Sequence, residues 1–175
     1  VTEVLNPWAD FSKVRPEVLE NAARRGTDVH AACLCKVQGL WMPAVPEDCA
    51  GYVASFMSWA GPMIEEVVAA EIELRDEHDL RVVGHPDIIC RLRGDRVLTM
   101  LDLKTPAAVS RSWPLQLAGY HRLGRNAGYD IGRAMTLRLK KDGGRPIVDE
   151  PGAHNLALNL MLFRSARALW SHFNE

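Results

Sequence analysis

The stretch HPDIICRLRGDRVLTMLDLKTP, residues 85–106, decides how this chain is read. Two apolar runs of strand length flank Arg93-Gly94-Asp95-Arg96, a tight turn, so the segment reads as two strands joined in a hairpin. Three charges interrupt it: Asp87 after Pro86 in the first strand, Asp102 in the second, and Lys104 two residues further on. The two-residue period of a strand puts Asp102 and Lys104 on one face and Leu101 and Leu103 on the other. An isolated D-x-K tripeptide is common and ordinarily marks a strand end whose polar side faces water. Here the hairpin brings Asp87 towards Asp102. Two neighbouring carboxylates repel, which drives one pKa up unless a cation sits between them. A hard divalent ion such as Mg²⁺ takes oxygen ligands of this kind and keeps waters of its own.

Working outward, EVVAAEIEL (66–74), LRVVGHPDIICRL (80–92) and RVLTMLDLKT (96–105) read as three successive strands. Glu71 and Glu73 alternate on one face of the first, so either is a candidate additional acid; solvent exposure is the alternative and is expected for at least one of them. Before the strands, Pro16 suits a first helical turn. Leu19, Ala22, Ala23, Gly26, His30, Cys33 and Val37 then recur at helical spacing, with Gly39 as the stop. Pro43 and Pro46 break the chain, and residues 46–62 form a shorter helix ended by Gly61-Pro62. After the strands, residues 110–128 form a helix closing at Gly128. RAMTLRLKK (133–141) and RPIVDE (145–150) pair as a hairpin around Asp142-Gly143-Gly144. A final helix from about Ala153 to Phe173 carries Leu156, Leu160, Phe163, Leu169, Trp170 and Phe173 on a broad apolar face. No repeat, linker or low-complexity segment divides residues 1–175, so a single α/β domain is expected.

With 25% charged and 47% apolar residues and a net charge of −1, the composition is that of a soluble globular protein with no global pull towards nucleic acid or membrane. No apolar run approaches the roughly 18 residues of a spanning helix and no signal peptide is visible, so no membrane partner is expected. Cys33, Cys35, Cys49 and Cys90 contain no C-x-x-C pair, which argues against a structural zinc site or a redox dithiol and for reduced thiols in a cytoplasmic protein. Charge is uneven along the chain. From Lys104 to Arg145 stand Arg111, Arg122, Arg125, Arg133, Arg138, Lys140 and Lys141 against only Asp130 and Asp142. Such a local excess can neutralise phosphates, with Arg24 and Arg25 adding to it; a solvated surface is the blander alternative. Trp113 and Tyr120 offer faces for base stacking, although Trp113 fits a core equally well.

His30 lies on the apolar seam of the first long helix, where a histidine is by default a satisfied core residue. Gly26, one turn before it, costs about 1 kcal/mol relative to alanine in a helix. That cost makes sense if something must approach the helix closely.

In order, GTDVH (26–30), Glu71/Glu73, GHPD (84–87), LDLK (101–104) and QLAGY (116–120) resemble the motifs of the PD-(D/E)xK nuclease superfamily. The match is to its RecB-type branch, which includes phage exonucleases and the CRISPR adaptation nucleases. The resemblance implies a restriction-endonuclease-like mixed β-sheet core flanked by helices. It also implies a Mg²⁺- or Mn²⁺-dependent deoxyribonuclease, by preference an exonuclease on linear or single-stranded DNA leaving 5′-phosphate ends. Asp87 and Asp102 would be metal-binding carboxylates, the Leu103 carbonyl a further ligand and His30 the additional ligand of this branch. Lys104 would position or activate the attacking water, and Gln116 and Tyr120 would match the Q-x-x-x-Y pattern facing the site. Partners would be DNA ends or single strands and a recombination or replication protein, in a bacterial cell or phage-infected host. Several RecB-type members carry an iron–sulfur cluster on cysteines near the C-terminus; no cysteine follows Cys90, so no cluster is expected. A nuclease-like domain that binds without cutting, and an unrelated α/β domain with exposed carboxylates, remain as alternatives.

Overall fold

The computed structural model describes residues 1–8, 14–42, 44–105 and 109–174. Pro43, one of the two expected chain-breakers, lies outside them. The elements run α1 (Thr2–Leu5), α2 (Pro16–Val37), α3 (Glu47–Met63), β1 (Ile64–Ala70), β2 (Leu74–Asp76), β3 (Val82–Gly84), β4 (Ile88–Leu92), β5 (Leu98–Lys104), α4 (Trp113–Asn126), β6 (Ile131–Arg138), β7 (Ile147–Asp149) and α5 (Ala153–Asn174). Five strands form a mixed sheet in the order β1-β4-β5-β6-β7. β1, β4 and β5 are an antiparallel meander, β6 lies parallel to β5, and β7 returns antiparallel to β6. The β5–β6 pair is parallel because α4 intervenes, and a parallel neighbour needs a crossover of this kind.

Helices cover both faces. Leu101 and Leu103 of β5 pack with Val29, Cys33, Phe56 and Trp59 of α2 and α3. Leu98 and Met100 pack on the opposite side with Leu117 and Leu123 of α4 and Phe163 of α5. The alternation expected for LDLK therefore holds, and Asp102 and Lys104 share the α4 side. A sheet apolar on both faces gains from burial twice, at roughly 25 cal/mol per Å² of apolar surface removed from water. Among the described residues, no helix is long and apolar enough to cross a membrane.

Several expectations are corrected. The strand expected over 66–74 stops at Ala70, because Glu71 takes φ +49°, and β1 starts directly after α3 at Ile64. Left-handed backbone at a non-glycine residue turns the chain out of the ladder, so Glu71 and Glu73 are not alternating members of one strand. The run 80–92 is likewise two strands. β3 leaves the main sheet to pair with β2, and β4 begins only after His85-Pro86-Asp87. Proline cannot donate to a ladder. Gly84 also lies tightly under α4, where an added Cβ would stand 2.8 Å from the Tyr120 ring. Helix α3 does not end at Gly61 but keeps Pro62 in its last turn and reaches Met63. The buried seam of α2 is Val29, Ala32, Cys33 and Leu34, leaving its first turns exposed. On α5 only Phe163 and Ala166 are buried, while Leu169 and Phe173 face solvent. Helix α1, not expected from the sequence, buries Val4 and Leu5 against the α4–α5 layer.

Candidate active site

The break before β4 places Asp87. Pairing of β4 with β5 ends at Ile88 opposite Leu101, so further along β5 the Leu103 N–H has no strand partner on that side. The Asp87 side chain supplies one: its Oδ2 accepts the Leu103 N–H at 2.6 Å. Its Oδ1 lies 3.1 Å from Nδ1 of His30, which reaches across from α2. Side-chain exposure is 27% for His30 and 13% for Asp87, so the contact is largely withdrawn from water. Burial alone would lower the His30 pKa, but the Asp87 hydrogen bond and the charges of Asp87 and Asp102 raise it above its ordinary value. His30 is thus bound to a carboxylate at the start of β4 and is not a plain seam residue. Leu103 meets this cluster through its N–H.

Asp102 is deeper, at 3% side-chain exposure against 16% for Lys104. Its Oδ1 accepts from Lys104 Nζ at 2.9 Å, and the same ammonium donates to Gln116 Oε1 at 2.9 Å. Gln116 Nε2 in turn donates to Tyr120 OH and to Thr2 Oγ1, each at 3.2 Å. The i, i+4 spacing of Gln116 and Tyr120 puts both on the face of α4 turned to β5. Burial, reinforced by the Asp87 charge, pushes the Asp102 carboxyl up against the opposing pull of Lys104. Burial also works against the Lys104 ammonium, but Asp102 outweighs it and the pKa rises. The Tyr120 phenol is raised, chiefly by burial. One atom is unprovided for: Asp102 Oδ2 is buried and has no hydrogen-bond partner among the described residues. A buried carboxylate oxygen without a donor costs the full desolvation of that group, so something that ligates it would be stabilised there.

Five of the residues singled out in the sequence, Asp87, Asp102, Lys104, Gln116 and Tyr120, with His30 beside them, come together from α2, the β3–β4 joint, β5 and α4. The two glutamates do not join through their carboxylates. Glu71 is exposed and offers its backbone N–H to the Asp87 carbonyl at 2.8 Å. Glu73 turns to Arg75 at 3.2 Å and His85 at 3.5 Å on the surface. No group of three or more His, Cys, Asp or Glu side chains among the described residues is placed to hold a metal. Lys104 occupies Asp102 Oδ1, and His30 and Leu103 occupy both oxygens of Asp87. His30 and Asp87 are in contact, and Asp102 lies close enough for its charge to act on His30.

The basic excess counted along the chain is partly cancelled in space by acids from elsewhere. Arg122 holds Asp79 at 2.7 Å, Arg133 holds Glu150 at 2.8 Å and also Asp95, and Arg138 holds Asp149. Arg24 is bound by Asp28 at 3.0 Å and Asp48 at 2.8 Å. Arg25 lies over the Tyr52 ring, 5.8 Å from its centroid. Arg111 is exposed before α4, and Trp113, half-buried, is the first residue of α4. At Gly26 an added Cβ would meet only Thr105 Oγ1, at 3.9 Å.

One residue of the site, Thr2, and one buried carboxylate away from it, Asp76, were missed. Thr2 belongs to a segment with no sequence signal beyond its apolar residues. Asp76, buried at the end of β2, caps the following turn by accepting from the N–H groups of His78, Asp79 and Leu80. Burial by itself would raise its pKa, but these bonds and the Asn126 amide bring it down to about 2. The D-E-H-D run at 76–79 was the available signal. No family model matches the chain, and no curated protein matches it.

Proposed function

We propose that this chain is a metal-dependent deoxyribonuclease of the PD-(D/E)xK type, hydrolysing phosphodiester bonds of linear or single-stranded DNA. One observation carries the reading. Two hydrogen-bonded sets, His30–Asp87–Leu103 N–H and Asp102–Lys104–Gln116, meet at neighbouring residues of β5 and leave Asp102 Oδ2 without a donor among the described residues. The order of a helix, an antiparallel three-strand meander, a helix and a parallel strand supports it, being the arrangement expected of a restriction-endonuclease-like core.

Asp102, Asp87 and His30 would hold Mg²⁺ or Mn²⁺. Such an ion lowers the pKa of bound water and stabilises charge on phosphate and leaving oxygen. The protein's own part is positional. Lys104, kept charged by Asp102, directs its ammonium at the attacking water; Gln116 fixes that ammonium; Tyr120 and Thr2 fix Gln116. Leu103 holds Asp87 in register with β5. A second reading, a nuclease-like domain that binds nucleic acid without cutting, is favoured by the occupancy of Asp102 Oδ1 by Lys104 and by the paired state of most arginines near α4 and β6.

End-labelled linear single strands, linear duplex and relaxed circular DNA, incubated with and without Mn²⁺ at two salt concentrations, separate the readings. Cleavage of the linear forms with Mn²⁺, weakened by salt and lost in Asp102→Ala, is expected. Rapid cutting of the circle into discrete fragments would favour an endonuclease. Binding without any cleavage would establish the second reading.

A further inference from the structure

Thr136 and Arg138 of β6 are the parallel partners of Asp102 and Lys104 on β5. Both also line a cleft of about 630 Å³ bounded by the start of α4, by β7 and by the first half of α5. The cleft therefore opens one strand spacing, about 5 Å, from the cluster just described and on the same face of the sheet.

Its lining is selective. Trp113, Pro114, Val148 and Leu158 supply apolar wall, and Asn155 and Asn159, one turn apart on α5, bring two amides to it. Neither amide is engaged by another side chain among the described residues. The carboxylates at the rim are already paired: Asp149 with Arg138, and Glu150 with Arg133 through two bonds at 2.8 and 2.9 Å. A cleft whose charges cancel favours neither a phosphate nor a cation. It suits an uncharged planar group whose edge carries both donors and acceptors. Nucleobases meet that description: aromatic side chains stack on them, and asparagine amides pair bidentately with their edges. The volume lies within the range of small-ligand sites.

We propose that this cleft holds the base of a nucleotide next to the scissile phosphate, stacked on Trp113 and read by Asn155 and Asn159. The proposal rests on the nuclease reading above. It adds that the substrate must present an unpaired base beside the cut, which a single strand or a frayed end does and an intact duplex does not.

The test is a set of single-stranded oligonucleotides, each with one abasic residue at a successive position. Each is cut by the wild-type protein with Mn²⁺, and kcat/KM is read bond by bond. An abasic residue at one fixed position relative to the cut is expected to lower kcat/KM at that bond about tenfold, within the range of base–aromatic stacking. The penalty should vanish in Trp113→Ala and shrink in Asn159→Leu. The wild-type scan decides alone if Trp113→Ala does not fold. Cleavage indifferent to the abasic position, or a penalty that persists in both variants, overturns the cleft and leaves the nuclease reading standing. A wild-type protein that neither binds nor cuts the intact oligonucleotide overturns both.

Discussion

Lys104→Met in the metal-free protein isolates the charge arrangement at the centre of the site. The ammonium lies 2.9 Å from Asp102 Oδ1, and the carboxylate it serves is 3% exposed with its other oxygen unpartnered. Removing one member of a buried ion pair leaves an uncompensated charge, at a cost of about 3–5 kcal/mol. The carboxyl can relieve this only by taking up a proton, and burial already holds its pKa above the ordinary value. A carboxyl raised in the folded state contributes full stability below its unfolded pKa of roughly 4 and loses it as pH climbs through the folded value. The deficit of Lys104→Met relative to wild type should therefore be small at pH 4.5 and clearly larger at pH 8. Urea denaturation in EDTA at both pH values measures it. The double variant Asp102→Asn/Lys104→Met should recover most of the loss, because no unpaired charge remains. Added Mn²⁺ should stabilise Lys104→Met more than wild type, since it replaces the missing counter-charge. A deficit below about 1 kcal/mol at pH 8, or one equal at both pH values, would refute the reasoning.

Mn²⁺ should raise the melting temperature of the wild-type protein, by the equivalent of about 2.7 kcal/mol at a hundredfold excess over Kd, and the rise should disappear in Asp102→Ala. An unchanged melt in millimolar Mn²⁺, with no heat of binding by calorimetry, would sink the metal site. Asp76 has a folded pKa of about 2, so it contributes on the order of 2 kcal/mol above pH 4, lost as pH falls towards 2. Wild type and Asp76→Ala should then differ in stability at pH 7 and converge in an acid titration, and a gap unchanged at pH 2 would contradict this. Gly26→Ala, with only Thr105 Oγ1 near the new methyl, should stabilise the metal-free fold by about 1 kcal/mol in a denaturant melt. If nucleic acid must approach α2 there, the same variant should bind DNA more weakly; a destabilised melt would show that the helix needs the glycine for another reason.

The legibility of this chain varied with how local each signal was. The turn at Arg93–Arg96, the stops at Gly39 and Gly128 and the hairpin around Gly143 were readable because glycine at positive φ is a local requirement, and all four glycines adopt it. Boundaries failed where tertiary contacts overrode local pattern. Residues 66–74 read as one strand and 80–92 as another in spite of Pro86, yet β2 and β3 split off as a separate ribbon with Gly84 packed under Tyr120. The broad apolar face of α5 was overestimated for a related reason, since periodicity shows which residues share a face and not how much of it a neighbour covers.

For the site, sequence alone determined the alternation that places Asp102 and Lys104 on one side of β5, and the helical spacing that places Gln116 and Tyr120 together on α4. Both follow from the fixed repeat of a strand or a helix, which needs no partner to be known. Only the tertiary structure decided that His30 meets Asp87, that Glu71 and Glu73 stay outside, and that Arg122, Arg133 and Arg138 of the basic run are paired with Asp79, Asp95, Asp149 and Glu150. Coulomb energy and desolvation depend on distance and burial in space, and neither is written in the separation of residues along the chain.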